Sequence, residues 1–154
     1  MAKFTYRMQN ILDIKEKLES QAKISYGIAN AKLVDEQQKL QQVIVRRASY
    51  EAKSRELVNG RISISDIKHC RKALDVLKVY QRNQMMNVHA AEKNVEFARE
   101  RLNIAMIERK THEKLREKEF EEFKKEIQHA EAKEIDELVS YNYHDNGQDE
   151  TQQS

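Results

Sequence analysis

One stretch of the sequence decides the fold class: residues 67–105 read IKHCRKALDVLKVYQRNQMMNVHAAEKNVEFARERLNIA. A stripe of apolar residues and two glutamines recurs there at alternating spacings of three and four, and it consists of Ile67, Cys70, Leu74, Leu77, Gln81, Gln84 with Met85, Val88, Ala91, Val95, Ala98, Leu102 and Ala105. Such a narrow stripe is typical of a helix in a coiled coil. The spacing continues through Arg109 and His112 toward Tyr141, which predicts one long helix.

An earlier stripe predicts a first helix that packs against it. Its members are Phe4, Ile11, Ile14, Leu18, Ala22, Ser25, Ala29, Leu33, Leu40, Val43, Tyr50, Ser54 and Leu57, with Glu36 and Arg47 as charged interruptions. We expect Gly60 to end this helix in a left-handed conformation. Ser63, Ser65 and Asp66 offer N-cap oxygens for the next helix. The predicted bounds are about 4–58 for helix 1, 59–65 for the turn and 66–143 for helix 2.

Composition excludes most other folds of this length. The 154 residues contain no proline and three glycines, and 35% of them are charged. Sheet folds need frequent turn residues, which this chain lacks. We therefore predict an all-α fold: a single domain, residues 1–143, formed by a long antiparallel two-helix coiled-coil hairpin with an overhanging C-terminal helix. Residues 144–154 carry almost no apolar side chain and are predicted to be a disordered acidic tail.

The overhang follows from the pairing of the two helices. With the turn near Ile62, Phe4 comes level with Phe120, so the helix from residue 121 onward has no partner within the chain. This part carries Phe123, Ile127, Ala130, Leu138 and Tyr141. Uncovered apolar residues on one helix indicate a docking face. The alternative is that this end frays or dimerises.

Charge is distributed unevenly along the sequence. Residues 39–82 carry 11 basic and 4 acidic side chains, whereas residues 131–154 carry 1 basic and 7 acidic ones. The basic part near the turn favours recognition of an acidic protein surface. Nucleic-acid binding is the weaker alternative, because only Tyr50 and Tyr80 could stack on bases. A second docking patch, flanked by Arg46, Arg47 and Lys78, is predicted at Val43, Tyr50, Leu74, Leu77 and Tyr80; ordinary packing between the helices is the alternative.

The sequence offers no catalytic chemistry. Phosphate-binding loops, CxxC pairs and HExxH motifs are missing, and the lone ExxH at Glu126 and His129 lacks the further carboxylates of a di-iron site. We assign no catalytic, cofactor-binding or metal-binding residue and predict a protein that is not an enzyme. Because Cys70 is the single cysteine and no apolar run is long enough to span a bilayer, we expect a cytoplasmic protein that reaches membranes only through partners.

Three segments resemble a known family. FTYRMQNILD at residues 4–13, ERKTHEKL at 108–115 and EAKEIDE at 131–137, in this order and around long helices, are similar to the flagellar export protein FliJ family. The resemblance extends over nearly the whole chain, from Phe4 to about Tyr143.

The resemblance implies a coiled coil similar to the central stalk of rotary ATPases, located at the cytoplasmic face of the membrane in the flagellar type III export apparatus and required for motility. It implies three partners: the hexameric export ATPase, whose assembly and activity it promotes, the cytoplasmic part of the membrane export gate, and export chaperones. A stalk subunit of another rotary ATPase is the alternative. On this basis the ATPase ring is expected to bind Phe4, Tyr6, Phe120, Phe123, Ile127 and Leu138, and the gate Val43, Tyr50, Leu74, Leu77 and Tyr80.

Overall fold

A computed structural model describes residues 3–60 and 63–152, with side chains up to residue 146. Nearly all described residues belong to two helices, α1 (Gln9–Asn59) and α2 (Ile64–Gln152). The predicted all-α hairpin of two long helices is therefore confirmed. Within the described ranges, no helix holds an apolar run of the length that a bilayer span requires.

The N-terminus differs from the predicted helix start. α1 begins at Gln9 rather than at Phe4, and Gln9 N donates a hydrogen bond to Tyr6 O at 3.1 Å. Phe4 is half-buried and Tyr6 is buried. In an extended chain the side chains of residues i and i+2, such as Phe4 and Tyr6, point to the same side. In a helix they point about 200° apart. Residues 3–6 therefore stay out of the helix so that both rings can pack.

The turn differs from prediction at its glycine. Ser63 acts as the predicted N-cap, because its Oγ accepts a hydrogen bond from Asp66 N at 3.5 Å and its O accepts one from Ile67 N at 3.1 Å. α2 consequently begins at Ile64, two residues before the predicted start. The predicted left-handed conformation of Gly60 is wrong, since no described glycine has a positive φ. Gly60 ends α1 through its high backbone entropy instead. Residues 61 and 62 of the predicted turn lie outside the described residues.

The C-terminal helix is longer than predicted. α2 continues to Gln152, nine residues beyond Tyr143, through the segment that was predicted to be a disordered tail. Gly147 costs a helix only about 1 kcal/mol relative to Ala, and no proline interrupts the backbone hydrogen bonds. Residues 153 and 154 lie outside the described residues.

The chain packs as two compact units. In the first, residues 17–106, the predicted stripe of α2 faces α1: Cys70, Leu77, Ala91 and Ala98 are buried, and its other members are half-buried except Met85, which is exposed. The α1 stripe from Leu33 to Leu57 also faces α2. Arg99 Nη2 donates a hydrogen bond to Tyr26 Oη at 3.4 Å across the pair and lowers the pKa of that phenol.

The second unit contains residues 3–16 and 107–152. Leu12 is its most deeply buried side chain, with 2% of its surface exposed. Lys15 Nζ forms a 2.9 Å ion pair with Glu108 Oε2 on the opposite helix. Arg109 and His112 are half-buried, so the α2 stripe continues here as predicted.

The first part of α1 turns a different face inward than the sequence predicted. Ile11, Ile14, Leu18 and Ser25 are exposed, and the residues one position later, Leu12, Lys15, Glu19 and Tyr26, are buried or half-buried. Four members of the predicted stripe are therefore wrong by one residue, whereas Ala22 is half-buried as predicted. Both faces carry apolar residues, so spacing alone could not choose between them. The choice depends on contacts with α2, such as the pair between Lys15 and Glu108.

Candidate functional site

A groove runs between the two helices of the first unit. We call it the basic groove; its volume is about 670 Å³, and it is lined by Lys39, Gln42, Val43, Arg46, Tyr50, His69, Lys72, Ala73, Val76, Leu77 and Tyr80. Successive lining residues of each helix are mostly one helical turn apart, so each helix contributes one continuous strip. A groove of this kind can hold the apolar face of a helix or an extended segment.

The basic groove collects four of the five residues predicted to bind the gate. Val43, Tyr50, Leu77 and Tyr80 line it, whereas Leu74 is half-buried and is not among the lining residues. Leu77 is 7% exposed and packs between the helices, while Tyr80 is 61% exposed and open to a partner. The sequence analysis missed Val76 as a groove residue, although Val76, Leu77 and Tyr80 follow a helical spacing.

The basic groove is lined by positively charged side chains. Among the described residues, those that line it include Lys39, Arg46 and Lys72 but no acidic side chain. Arg46 flanks the groove as predicted. Arg47 instead turns toward α2 and donates a hydrogen bond to Gln81 Oε1 at 2.9 Å, and Lys78 is not among the lining residues. The arrangement suits an amphipathic segment with acidic side chains beside an apolar stripe.

Two polar contacts interrupt the apolar stripe between the helices. Gln84 Nε2 donates a hydrogen bond to the carboxylate of the buried Glu36 and another, at 2.9 Å, to Glu36 O. The bond from Gln84, reinforced by Lys32 at 3.0 Å, lowers the pKa of the Glu36 carboxyl group. The second contact is the bond from Arg47 to Gln81. Each predicted charged interruption of α1 thus meets a glutamine of the α2 stripe.

Phe4 contacts two other phenylalanines in the second unit. The ring of Phe4 contacts that of Phe120 at a centroid distance of 5.0 Å and that of Phe123 at 5.4 Å. Lys124 Nζ lies 4.7 Å from the centroid of the Phe120 ring. The predicted level of Phe4 with Phe120 is confirmed. The overhang, however, begins after Phe123 and not at residue 121, because the non-helical N-terminus lets Phe4 reach one turn further.

We call Phe4, Phe120 and Phe123 the aromatic cluster. A cavity of about 320 Å³ adjoins it, lined by Phe4, Leu12, Glu16, Glu113, Arg116, Glu117 and Phe120. Tyr6 is only 6% exposed, and its hydroxyl, although buried, has no hydrogen-bond partner among the described residues. Tyr6 therefore packs within the unit and does not present its ring to a partner.

Beyond the aromatic cluster, α2 continues alone within its unit. We call residues 124–152 the C-terminal extension. Ile127 is half-buried, and every described side chain from residue 128 to 146 is exposed. Leu138, predicted to bind the ring, is 63% exposed and lies 15 residues after Phe123, about 22 Å along a helix. Ile135 and Val139, which the sequence analysis missed, join Leu138 in one stripe at helical spacing.

Metal ions in proteins are bound mostly by His, Cys, Asp and Glu side chains. No group of three or more His, Cys, Asp or Glu side chains within them is placed to hold a metal ion. Cys70 is buried in the stripe of α2 as a free thiol.

Comparisons with known proteins agree with this description. A family model described as flagellar FliJ protein matches residues 4–148. CT670 from Chlamydia trachomatis, whose structure is described as that of a YscO homologue, superimposes with a TM-score of 0.69 and 22% sequence identity, over 95% of this chain and 99% of that one. At this identity the superposition shows a shared fold. A comparison with curated proteins found no match.

Proposed function

This chain belongs to the FliJ family of flagellar proteins and is thereby a component of the type III export apparatus, and we propose that within this apparatus it links the export ATPase ring to the membrane export gate. The proposal assigns one of the two units to each partner. The aromatic cluster and the C-terminal extension bind the ATPase ring, and the basic groove binds the cytoplasmic part of the gate. The chain acts by binding and not by catalysis.

The exposed stripe of the C-terminal extension supports the assignment to the ring. Ile135, Leu138 and Val139 are all at least 60% exposed. Most of the stability of a protein helix comes from packing of its apolar face, so an apolar stripe that no other element covers gains most when a partner covers it. Phe4, Phe120, Phe123 and Ile127 add a partly covered apolar surface at the base of the extension. Tyr6 is buried and is not proposed to contact the ring.

Binding to the ring is proposed to promote its assembly and its ATPase activity. A ligand that binds the assembled hexamer better than its separated subunits shifts the population toward the hexamer. Full burial of one leucine contributes about 1.5–3 kcal/mol, so a few residues of the extension suffice for a measurable shift.

ATP hydrolysis by the export ATPase tests this assignment. Leu138→Asp should weaken the stimulation about tenfold or more, because it places a charge in the proposed apolar contact. Leu115→Asp is the matched control: Leu115 is also an exposed leucine of α2 in the same unit, and this variant should stimulate as the native chain does. Equal stimulation by the Leu138 variant and the native chain would remove the extension from the ring contact.

The basic groove supports the assignment to the gate. It is an apolar groove with three basic residues at its edges and an exposed tyrosine, Tyr80, which is a residue type favoured at protein interfaces. Leu74, predicted for the same contact, does not line it and is not required by the proposal.

Tyr80→Ala in the full chain tests the groove. We expect it to weaken binding to the cytoplasmic part of the gate about tenfold and to impair swimming, while stimulation of the ATPase is unchanged. Phe97→Ala is the matched control, since Phe97 is an equally exposed aromatic residue of the same unit that does not line the groove. Gate binding that survives Tyr80→Ala would exclude this groove residue as a gate contact.

Export chaperones are the third class of partner that we propose. Met8, just before α1, and Ile11 and Ile14, which α1 turns away from α2, are exposed apolar residues and support a docking surface for them. This surface is separate in sequence from the basic groove, so a chaperone and the gate would not compete for the same residues.

A further inference from the structure

We propose that the basic groove also binds the acidic part of the C-terminal extension of a second copy of this chain. The two surfaces are opposite in charge, and both pair an apolar strip with charged flanks. They are therefore complementary in the two properties that decide whether a helix fits a groove.

The acidic segment, residues 131–146, has the features of a groove ligand. It contains five acidic residues and one basic residue, and all its described side chains are exposed. Ile135, Leu138 and Val139 form its apolar stripe, and on a helix Glu134 and Asp136 fall on opposite sides of Ile135. The stripe thus carries a carboxylate on each side.

The groove carries the matching arrangement. Val43, Ala73 and Leu77 lie among its lining residues, and Lys39, Arg46 and Lys72 supply positive charge from both helices. Lys39 and Arg46 are seven residues apart on α1, about two helical turns, so they can meet carboxylates along a docked helix. Within the part of the chain that the structure describes, no acidic side chain lines the groove, although Lys39 is paired with Asp35 at 3.2 Å along α1. Arg46 and Lys72 therefore carry most of the attraction for an acidic ligand, and Lys39 joins them by exchanging its partner.

Self-association of this kind would regulate the proposed function, on which this step of the inference rests. A docked acidic segment would occupy the groove proposed for the gate, and its own Leu138 would be withdrawn from the ATPase ring. Chains that are not assembled into the export apparatus would then cover each other's docking surfaces. Because surface charges contribute to the contact, salt would release it.

Sedimentation equilibrium of the full chain tests the proposal. We expect the average mass to rise with concentration at low salt and to return to that of one chain at high salt. Reversing the groove with Lys39→Glu, Arg46→Glu and Lys72→Glu should weaken association about tenfold or more, and so should reversing the segment with Glu131→Lys, Glu134→Lys and Asp136→Lys. Combining both sets in one chain should restore association.

A matched control separates the proposed contact from a general effect of charge. Lys110→Glu, Lys114→Glu and Lys118→Glu make the same charge change on exposed residues of α2 outside the groove, and association should persist. Circular dichroism of each variant should show native helicity.

Three results would overturn the proposal: a native chain that stays monomeric at every concentration, association that survives reversal of the groove, and failure of the combined variant to associate when it is fully helical. If the chain stays monomeric and its hydrodynamic radius changes when the charges are reversed, the acidic segment binds the groove of its own chain. The proposed contact between two copies is then wrong. Because only this chain is present in the measurement, failure here leaves gate binding, which is tested with the gate protein, unaffected.

Discussion

Glu36 is a charged residue within the apolar stripe of α1. Its carboxylate is buried between the helices, where Gln84 donates hydrogen bonds to it and Lys32 lies at 3.0 Å. A buried carboxylate is costly unless it is hydrogen-bonded, and these partners satisfy it. The resulting pKa is lowered, which makes the pairing dependent on pH.

The lowered pKa of Glu36 sets the sign of a stability prediction. A carboxyl group whose pKa is lower in the folded chain contributes stability above its unfolded pKa, about 4.3 for glutamate, and this contribution is lost as the pH falls through the folded pKa. We therefore expect the difference in free energy of unfolding between the native chain and Glu36→Gln to shrink as the pH is lowered from 7 toward 3. Urea unfolding followed by circular dichroism at each pH measures it.

Asp35→Asn is the control for Glu36. It removes the neighbouring carboxylate, which faces solvent and pairs with Lys39, and its difference from the native chain should change less over the same range. A Glu36→Gln difference that does not vary with pH would show that the carboxylate is not stabilised by its buried contacts.

At the scale of the element, the face that α1 turns toward α2 is the main structural result. In this part of α1 the inward residues include Leu12, Lys15, Glu19 and Tyr26, and the more apolar set Ile11, Ile14 and Leu18 faces outward. An outward apolar face of this kind is available to partners.

Two leucine substitutions test which face is inward. Leu12→Ala should lower the free energy of unfolding by about 2–4 kcal/mol, because Leu12 is 2% exposed, whereas Leu18→Ala should change it by about 0.5 kcal/mol or less, because Leu18 is 43% exposed. Chemical denaturation of the full chain measures both. Equal costs for the two variants would contradict the inward face described here.

The two helices show how far the sequence predicts the fold. The α2 stripe from Ile67 to His112 was predicted from its regular spacing, although α2 also carries exposed apolar residues such as Val79 and Phe97 on other faces. α1 was predicted correctly from Leu33 onward. Before that, Ala22 and Ala29 are half-buried as predicted, whereas Ile11, Ile14, Leu18 and Ser25 face outward. Which face packs depends on pairs such as Lys15 with Glu108, which no periodicity within α1 contains.

The surfaces were predicted less completely than the helices. Four of the five gate residues line the basic groove, because helical spacing near the turn places them together. Of the predicted flanking residues only Arg46 lines the groove. Lys39, Lys72 and the apolar Val76 become visible only when the two helices are paired. Ile135 and Val139 could have been found from their spacing with Leu138, whereas the burial of Tyr6 follows from a non-helical N-terminus that no pattern indicated.

At the scale of the whole molecule, we propose that one chain binds two partners at the same time. The sequence separates the corresponding surfaces: the basic groove lies within residues 39–80, and the C-terminal extension begins at residue 124. The surfaces share no residue, and their charges are opposite. A linker between the ATPase ring and the gate requires this separation, because both contacts must exist at the same time.

Co-sedimentation of the hexameric ATPase with the cytoplasmic part of the gate tests this claim most directly. The gate protein should sediment with the ring only when the full chain is present, and either Leu138→Asp or Tyr80→Ala should abolish this while leaving the contact at the other surface intact. If the ring and the gate protein instead displace each other from the chain, so that no complex contains all three, the account of this protein as a link between them is contradicted.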